Sequence, residues 1–219
     1  MTLSLAGRTA HPLAMPVPVR VGGFGGVAGL VAWLRAERID VLVDATHPYA
    51  ARISANAVAA TRITGVPLVA LRRPGWRVGP GDDWRSVPDL AVALAALGDA
   101  PRRVFLALGR QEVAGIVAAP QHAYLIRSVD PILPAIPGAT CITARGPFDV
   151  ADEAALLRAH RIEAIICKNS GGAASEGKLI AARQLGLPVL MLARPVLPDV
   201  PGCETVEAAL VHLRRLRGV

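Results

Sequence analysis

Asp44, Thr46, His47 and Pro48 stand together where a short apolar run breaks off, in Ile39-Asp-Val-Leu-Val-Asp-Ala-Thr-His-Pro-Tyr-Ala-Ala-Arg-Ile-Ser-Ala-Asn56. A carboxylate, a hydroxyl and an imidazole placed this closely are suited to orienting and moving protons, and histidine is the side chain that most readily titrates near neutral pH. The apolar run reads as a strand and the small-residue stretch as a helix that Gly65 stops. In an open parallel sheet, ligands gather outside the carboxyl ends of strands, where helix N-terminal amides and loop side chains converge. Pro48 suits the first turn of a helix, with Thr46 or His47 near its cap. The plainer alternative is that Asp44 and Thr46 only cap and that His47 is a solvated loop residue.

A second polar turn lies far along the chain. Only two lysines occur, Lys168 and Lys178, both inside Cys167-Lys-Asn-Ser-Gly-Gly-Ala-Ala-Ser-Glu-Gly-Lys178, whereas arginine is the cation everywhere else. Lysine kept in an arginine-rich chain suggests a need for a compact ammonium. Lys168, Asn169, Ser170 and the two following glycines offer an ammonium, an amide, a hydroxyl and permissive backbone ahead of a helix, which suits a phosphate or a carboxylate. No Ser or Thr follows Lys178 and the other lysine precedes its glycines, so this is not the phosphate loop of a nucleotidase.

Val21-Gly-Gly-Phe-Gly-Gly26 sets glycines around one aromatic before an apolar-faced helix, and glycine lets backbone amides approach a bound group. Pro16 and Pro18 precede it, so it does not read as the strand-following G-x-G-x-x-G; a merely flexible turn is the alternative. Ser4-Leu-Ala-Gly-Arg-Thr9 ends a short strand with a hydroxyl and an Arg, a position that can accept the 2′-phosphate separating NADP from NAD. Taken alone it is an ordinary strand exit. Arg110, Arg127 and Arg145 each follow an apolar run, and three cations from separate strands of one parallel sheet would converge at its binding edge.

The chain of 219 residues suffices for one large or two small domains, and its 53% hydrophobic content argues against disorder. No apolar stretch approaches the roughly 20 residues of a transmembrane span. The first residues have neither the basic start nor the apolar length of a signal peptide, so a cytoplasmic protein is expected. Cys141, Cys167 and Cys203 are widely spaced and show no metal-ligand spacing, so neither disulfides nor zinc are indicated. The net charge of +7 is carried by scattered arginines with few aromatics, which disfavours nucleic acid and suits a polyanionic small molecule.

Strand and helix signals alternate. Strands are expected at 2–5, 39–43, 68–71, 104–108, 124–128, 140–144, 164–167 and 189–192, and helices at 26–37, 49–64, 89–97, 111–118, 152–160, 175–185 and 206–216. This reads as parallel sheets flanked by helices, an α/β fold. Gly98-Asp-Ala-Pro-Arg102 looks like a hinge, which sets the domains at residues 1–98 and 99–219. The two polar turns would then face each other across a cleft.

SLAGRT, RVGGFGG, DATHPYAARISANA, GRQ, ARGPF, CKNSGG with KLIAARQLGLPV, and the late RP together resemble the precorrin-6A reductase family of cobalamin biosynthesis, over essentially the whole chain. The resemblance implies two Rossmann-like domains with the active site in the cleft between them: an NADPH-binding domain at 1–98 and a substrate domain at 99–219. It implies reduction by NADPH of one double bond of an anionic tetrapyrrole, precorrin-6A, to precorrin-6B. On this resemblance Ser4, Gly7, Arg8 and Thr9 would meet the adenosine-phosphate end of NADPH, and Gly22, Gly23, Phe24 and Gly25 would lie near the cofactor. Asp44, Thr46, His47 and Pro48 would border the nicotinamide and substrate, with His47 as candidate proton donor and water or a substrate carboxylic acid as alternatives. Arg110, Arg145, Lys168, Asn169 and Ser170 would meet the macrocycle's carboxylates, which cobalt-free and cobalt-bearing forms share.

Family members open with an apolar strand, a Gly-Gly-Thr turn and a helix before SLAGRT, a unit of about thirty residues. The present sequence opens at SLAGRT, so either translation starts upstream of Met1 or the sequence is shortened; a polypeptide really beginning at Met1 is expected to show weak NADPH affinity and poor stability. Two other functions stay open: a non-catalytic two-lobed binder of an anionic small molecule, and another NADP-dependent reductase. Against the second, neither Tyr49 nor Tyr124 has a Lys four residues on.

Overall fold

A computed structural model describes residues 1–7, 14–133 and 136–218, with the side chains of Arg110, Gln111 and Arg217 outside that description. Arg8 and Thr9 therefore lie outside the described residues, as does the side chain of Arg110. All described strand pairs are parallel. The alternation of apolar strand runs with helices thus yields the expected α/β architecture.

The chain divides into a first unit, Met1–Pro74 with Pro195–Val219, and a second, Gly75–Arg194. In the first, β1 (Leu3–Leu5) pairs with β2 (Val19–Val21). The strand β2 forms directly after Pro18 because that residue supplies only its carbonyl, which accepts from the Leu3 N–H at 2.9 Å; proline lacks a donor and keeps its acceptor. The glycine turn therefore does follow a strand, contrary to the expectation drawn from the prolines. Next come α1 (Gly26–Ala36), β3 (Leu42–Asp44), α2 (Ala51–Thr64) and β4 (Leu68–Leu71). One face of α1 buries Leu30, Val31 and Leu34 against Ala57 and Ala60 of α2, with Phe24, Val27, Leu42 and Leu68 closing the cluster. Gly29 permits this packing, since a Cβ there would lie 1.6 Å from the Phe24 carbonyl oxygen.

In the second unit β5 (Trp84–Val87), α3 (Leu90–Leu97), β6 (Arg103–Ala107), α4 (Arg110–Val113), β7 (Ala123–Ser128), β8 (Thr140–Thr143), α5 (Val150–Ala159), β9 (Ala164–Lys168), α6 (Gly177–Leu185) and β10 (Val189–Leu192) follow in order. The sheet runs β5-β10-β9-β6-β7-β8. Phe105, Leu125, Ile165, Cys167, Val189 and Met191 pack against Leu157, Leu179, Ala181 and Ala182 of α5 and α6. Asp89 and Asp149 cap α3 and α5 by accepting from the Val92 and Ala151 amides, as short carboxylates do at helix starts.

The boundary expected at 98/99 is thereby corrected. Strand β5 and helix α3, before residue 98, belong to the second unit through the β5–β10 pairing. The last elements, β11 (Gly202–Cys203) and α7 (Val206–Arg217), return to the first unit, where β11 pairs with β4 in the sheet β11-β4-β3. Gly98-Asp-Ala-Pro-Arg102 is instead the connection from α3 to β6, with Gly98 at φ +79° ending the helix. Glycine and proline mark turns within a unit as strongly as passages between units. Among the described residues no helix is long and apolar enough to cross a membrane.

Candidate active site

The Asp44 turn is built as the residue types suggest. Asp44 closes β3, is 7% exposed, and accepts through Oδ1 from the Thr46 N–H (3.1 Å) and the Thr46 hydroxyl (2.6 Å). The hydroxyl lies 3.4 Å from that of Ser54 on α2, so the turn is tied to the helix after it. His47 is exposed and Pro48 buried. The Tyr49 N–H donates to His47 Nδ1 at 3.3 Å, and the two rings lie 5.6 Å apart. An accepting Nδ1 leaves the proton of a neutral imidazole on Nε2. Helix α2 starts at Ala51 with Ala50 as its N-cap and no side-chain cap bond. Pro48 therefore precedes the helix rather than opening its first turn, and the carboxylate of Asp44 caps the turn before it.

The glycine turn sits at the carboxyl end of β2. Gly22 N–H donates to the Leu5 carbonyl at 2.8 Å, which brings Gly22 beside the exit of β1 where Gly7 follows; Ser4, exposed, pairs with Arg20 across the two strands. The Arg20 guanidinium donates to the carbonyls of Gly22 (2.6 Å) and Gly23 (2.8 Å) and lies 3.9 Å from the Phe24 ring centroid. The Phe24 ring also packs on Trp33 at 5.3 Å. Gly25 caps α1 at φ +77°, and a Cβ at Gly22, Gly23 or Gly25 would meet nothing within 4 Å. Open glycine backbone at a helix N-terminus suits a phosphate.

In the second unit the strand order reverses between β6 and β9: β6 leads outward to β7 and β8, and β9 leads the other way to β10. That reversal is the point where parallel sheets open a ligand crevice. Lys168 ends β9 on one side of it and Gly109 precedes α4 on the other. The Lys168 ammonium pairs with the Glu112 carboxylate, joining the loops across the switch point. Glu112 is a residue the sequence reading missed, although an acid in the first turn of a helix is its local signature. Ser170 is half-buried and its N–H donates to the Lys168 carbonyl at 2.9 Å. The Asn169 side chain bonds the main chain of Trp76 in both directions. Arg145, exposed, follows β8, and its loop docks on the segment after Ser170 through Phe148 N–H to the Ala174 carbonyl, 3.1 Å. A hollow lined by Asp83, Arg85, Arg102 and Pro188 opens at the amino-terminal ends of the strands, the edge where such sheets do not collect ligands.

Arg127 does not reach the binding edge, which corrects the expectation of three convergent arginines. It is buried on β7 in a bidentate pair with Glu153 of α5, its guanidinium 3.7 Å from the Phe148 ring centroid. Lys178 is 4% exposed. Its ammonium donates to the Ser175 carbonyl and lies 4.7 Å from the Trp76 ring centroid. Burial pulls its pKa below the usual lysine value. Burial also pushes the Cys167 thiol up, so this cysteine is a core residue and no nucleophile.

The family model described as precorrin-6x reductase CbiJ/CobK matches residues 1–214. The chain is 54% identical to a precorrin-6A reductase of Sinorhizobium sp over 95% of its length and 80% of the relative's. It is 53% identical to that of Rhodobacter capsulatus, over 94% of this chain and 83% of the other. A solved structure of CobK precorrin-6A reductase superposes with a TM-score of 0.94 at 51% identity, covering 100% of this chain and 89% of that one. On this evidence of sequence and fold alike, the chain belongs to the precorrin-6x reductase family, oxidoreductases of cobalamin biosynthesis.

Proposed function

We propose that the chain reduces one double bond of precorrin-6A to give precorrin-6B in the cytoplasm, using NADPH held by the first unit while the second binds the macrocycle's carboxylates. The observation that supports this most is the pairing of the Lys168 turn with the Glu112 segment at the switch point of a parallel sheet, in a chain of this family. The glycine turn fits a dinucleotide, because its backbone is open and it leads straight into α1. Ser4, inside β1, and Gly7, just past its end, lie on the neighbouring strand, where the adenosine-phosphate end would sit.

The bound cofactor supplies the hydride. The chain's own residues orient, exclude water and give a proton. Asp44 fixes the turn through Thr46, and that turn presents His47. In its imidazolium form, with the Tyr49 N–H released from Nδ1, the ring gives its Nε2 proton to the carbon beside the one that receives hydride and returns to neutral imidazole, so that a hydride and a proton add across one double bond. Arg110, Arg145, Lys168 and Ser170 meet the carboxylates, with Glu112 holding the Lys168 ammonium in place until a substrate carboxylate joins it.

NADPH oxidation on adding precorrin-6A, with mass spectrometry of the product, tests this reading. The expected result is stoichiometric loss of NADPH and a product heavier by two hydrogens. Tight binding of the macrocycle with no oxidation of NADPH or NADH overturns it in favour of a pure binder.

A further inference from the structure

We infer that Asn169 is a positioning residue, one that ties both passages of the chain between its units to a single spot at the carboxyl end of β9. The chain enters the second unit at Gly75 and leaves it after Arg194. Trp76, just inside the first passage, donates its N–H to Asn169 Oδ1 at 2.8 Å, and its carbonyl accepts from Asn169 Nδ2 at 3.0 Å. Arg194, the last residue before the second passage, donates Nε–H to the Asn169 main-chain carbonyl at 2.8 Å. These partners lie 93 and 25 residues away in sequence.

A carboxamide offers one donor and one acceptor spaced like those of a peptide group, so it can grip a strap of main chain at both ends. Asp lacks the donor. The grip is close: a Cβ on Gly75 would stand 3.0 Å from Asn169 Oδ1. The other side of the strap is held as well, since the Trp76 ring covers the buried Lys178 ammonium. Asn169 directly follows Lys168, so the anchor of both passages and the substrate turn are one segment of chain.

The inference rests on the reading that the first unit carries cofactor and the second carries substrate. Hydride transfer demands alignment, and a misplacement near 1 Å costs on the order of 100-fold in rate. An anchor at both passages is therefore a device for placement, distinct from a ligand for the carboxylates.

Three full-length variants test it: Asn169→Ala, Asn169→Asp, which keeps the acceptor for the Trp76 N–H, and Gly75→Ala, which wedges the clamp without altering the turn. The readouts are the single-turnover reduction rate at saturating NADPH and precorrin-6A, the dissociation constants of both, and amide hydrogen exchange at Trp76 and at residues 194–197. Expected for Asn169→Ala is a rate loss of about 10- to 100-fold with dissociation constants changed less than about twofold. Asn169→Asp is intermediate and Gly75→Ala reproduces the loss. In Asn169→Ala exchange rises about tenfold at Trp76, whose N–H loses its Asn169 Oδ1 acceptor, while residues 194, 196 and 197 hold, because Arg194 donates to the main-chain carbonyl that the substitution keeps.

A dissociation constant for precorrin-6A that rises while the saturated rate holds makes Asn169 a ligand and overturns the inference. So does a fall in melting temperature with rate and exchange unchanged, or faster exchange at Trp76 with the saturated rate unchanged. If Asn169→Ala fails to fold, Asn169→Asp and Gly75→Ala decide by the same criteria. Wild-type turnover, measured alongside, tests the reductase reading separately; the exchange data decide the anchor whatever that result.

Discussion

At the scale of single residues, His47 and Arg127 show how similar sequence signals part company. His47 stands on an exposed turn whose geometry is set by Asp44, and the proton-donor role is the one proposed for it. Replacing it with Ala is expected to slow single-turnover reduction by about 100-fold or more, the usual worth of a general acid. An unchanged rate across the pH range would remove it from the chemistry. Arg127 follows an apolar run as an edge cation would, yet its side chain is buried against Glu153. Removing one partner strands a buried charge, so Glu153→Gln is expected to destabilise the fold by about 3 to 5 kcal/mol, read as a lower melting temperature by calorimetry. A strand position and a strand end are a single residue apart, and apolar runs do not say where pairing stops. Glu112 and Trp76 escaped notice for another reason: their partners, Lys168 and Asn169, lie 56 and 93 residues off.

At the scale of elements, β4 and β10 form at the residues where apolar, branched side chains demand them. The elements β2, β5 and β11 were not legible. Two prolines precede β2; β5 is Trp-Arg-Ser-Val with its middle residues exposed; β11 has only two residues. Each exists because a neighbour offers a free edge, a tertiary effect that local pattern does not carry. Helix α1 depends on one absent side chain. Gly29→Ala would force a methyl into the Phe24 carbonyl, and a loss of about 3 kcal/mol is expected, measured by denaturant unfolding followed at Trp33.

The loop before β5 is tied to α6 by Asp82, which accepts from Arg183 Nε (2.8 Å) and Nη2 (2.9 Å) and from the Gly79 N–H (2.7 Å). The Arg183 hydrogen bonds hold the Asp82 carboxyl below its usual pKa. A carboxylate with a lowered folded-state pKa stabilises the fold above its unfolded pKa, about 3.9, and that contribution is lost as pH falls through the folded value. Arg183→Gln is accordingly expected to flatten the fall in melting temperature below about pH 4, as followed by circular dichroism, with little change near neutrality.

At the scale of the whole molecule, the charge of +7 predicts that encounter with a macrocycle bearing several carboxylates is electrostatically assisted. Raising salt from about 20 to about 200 mM shortens the screening length severalfold, so kcat/KM for precorrin-6A is expected to fall while kcat holds. A kcat/KM independent of salt would show that the arginines do not steer. Fold class and family were legible in the residues because polar turns and strand runs are local. The division of the chain was not, since it depends on which sheet a returning segment joins.

That returning segment has a consequence for biosynthesis. Strand β11 and helix α7 complete the first unit, although most of that unit is made before residue 75. At translation speeds of 5–20 residues per second, the ribosome needs about 7 to 30 s more to deliver the last pieces. Residues 75–194 can collapse first, and the opening portion waits with the edge of β4 unpaired. A newly made chain is thus most vulnerable to chaperone capture or proteolysis near its start, and the order of maturation runs from the middle outward.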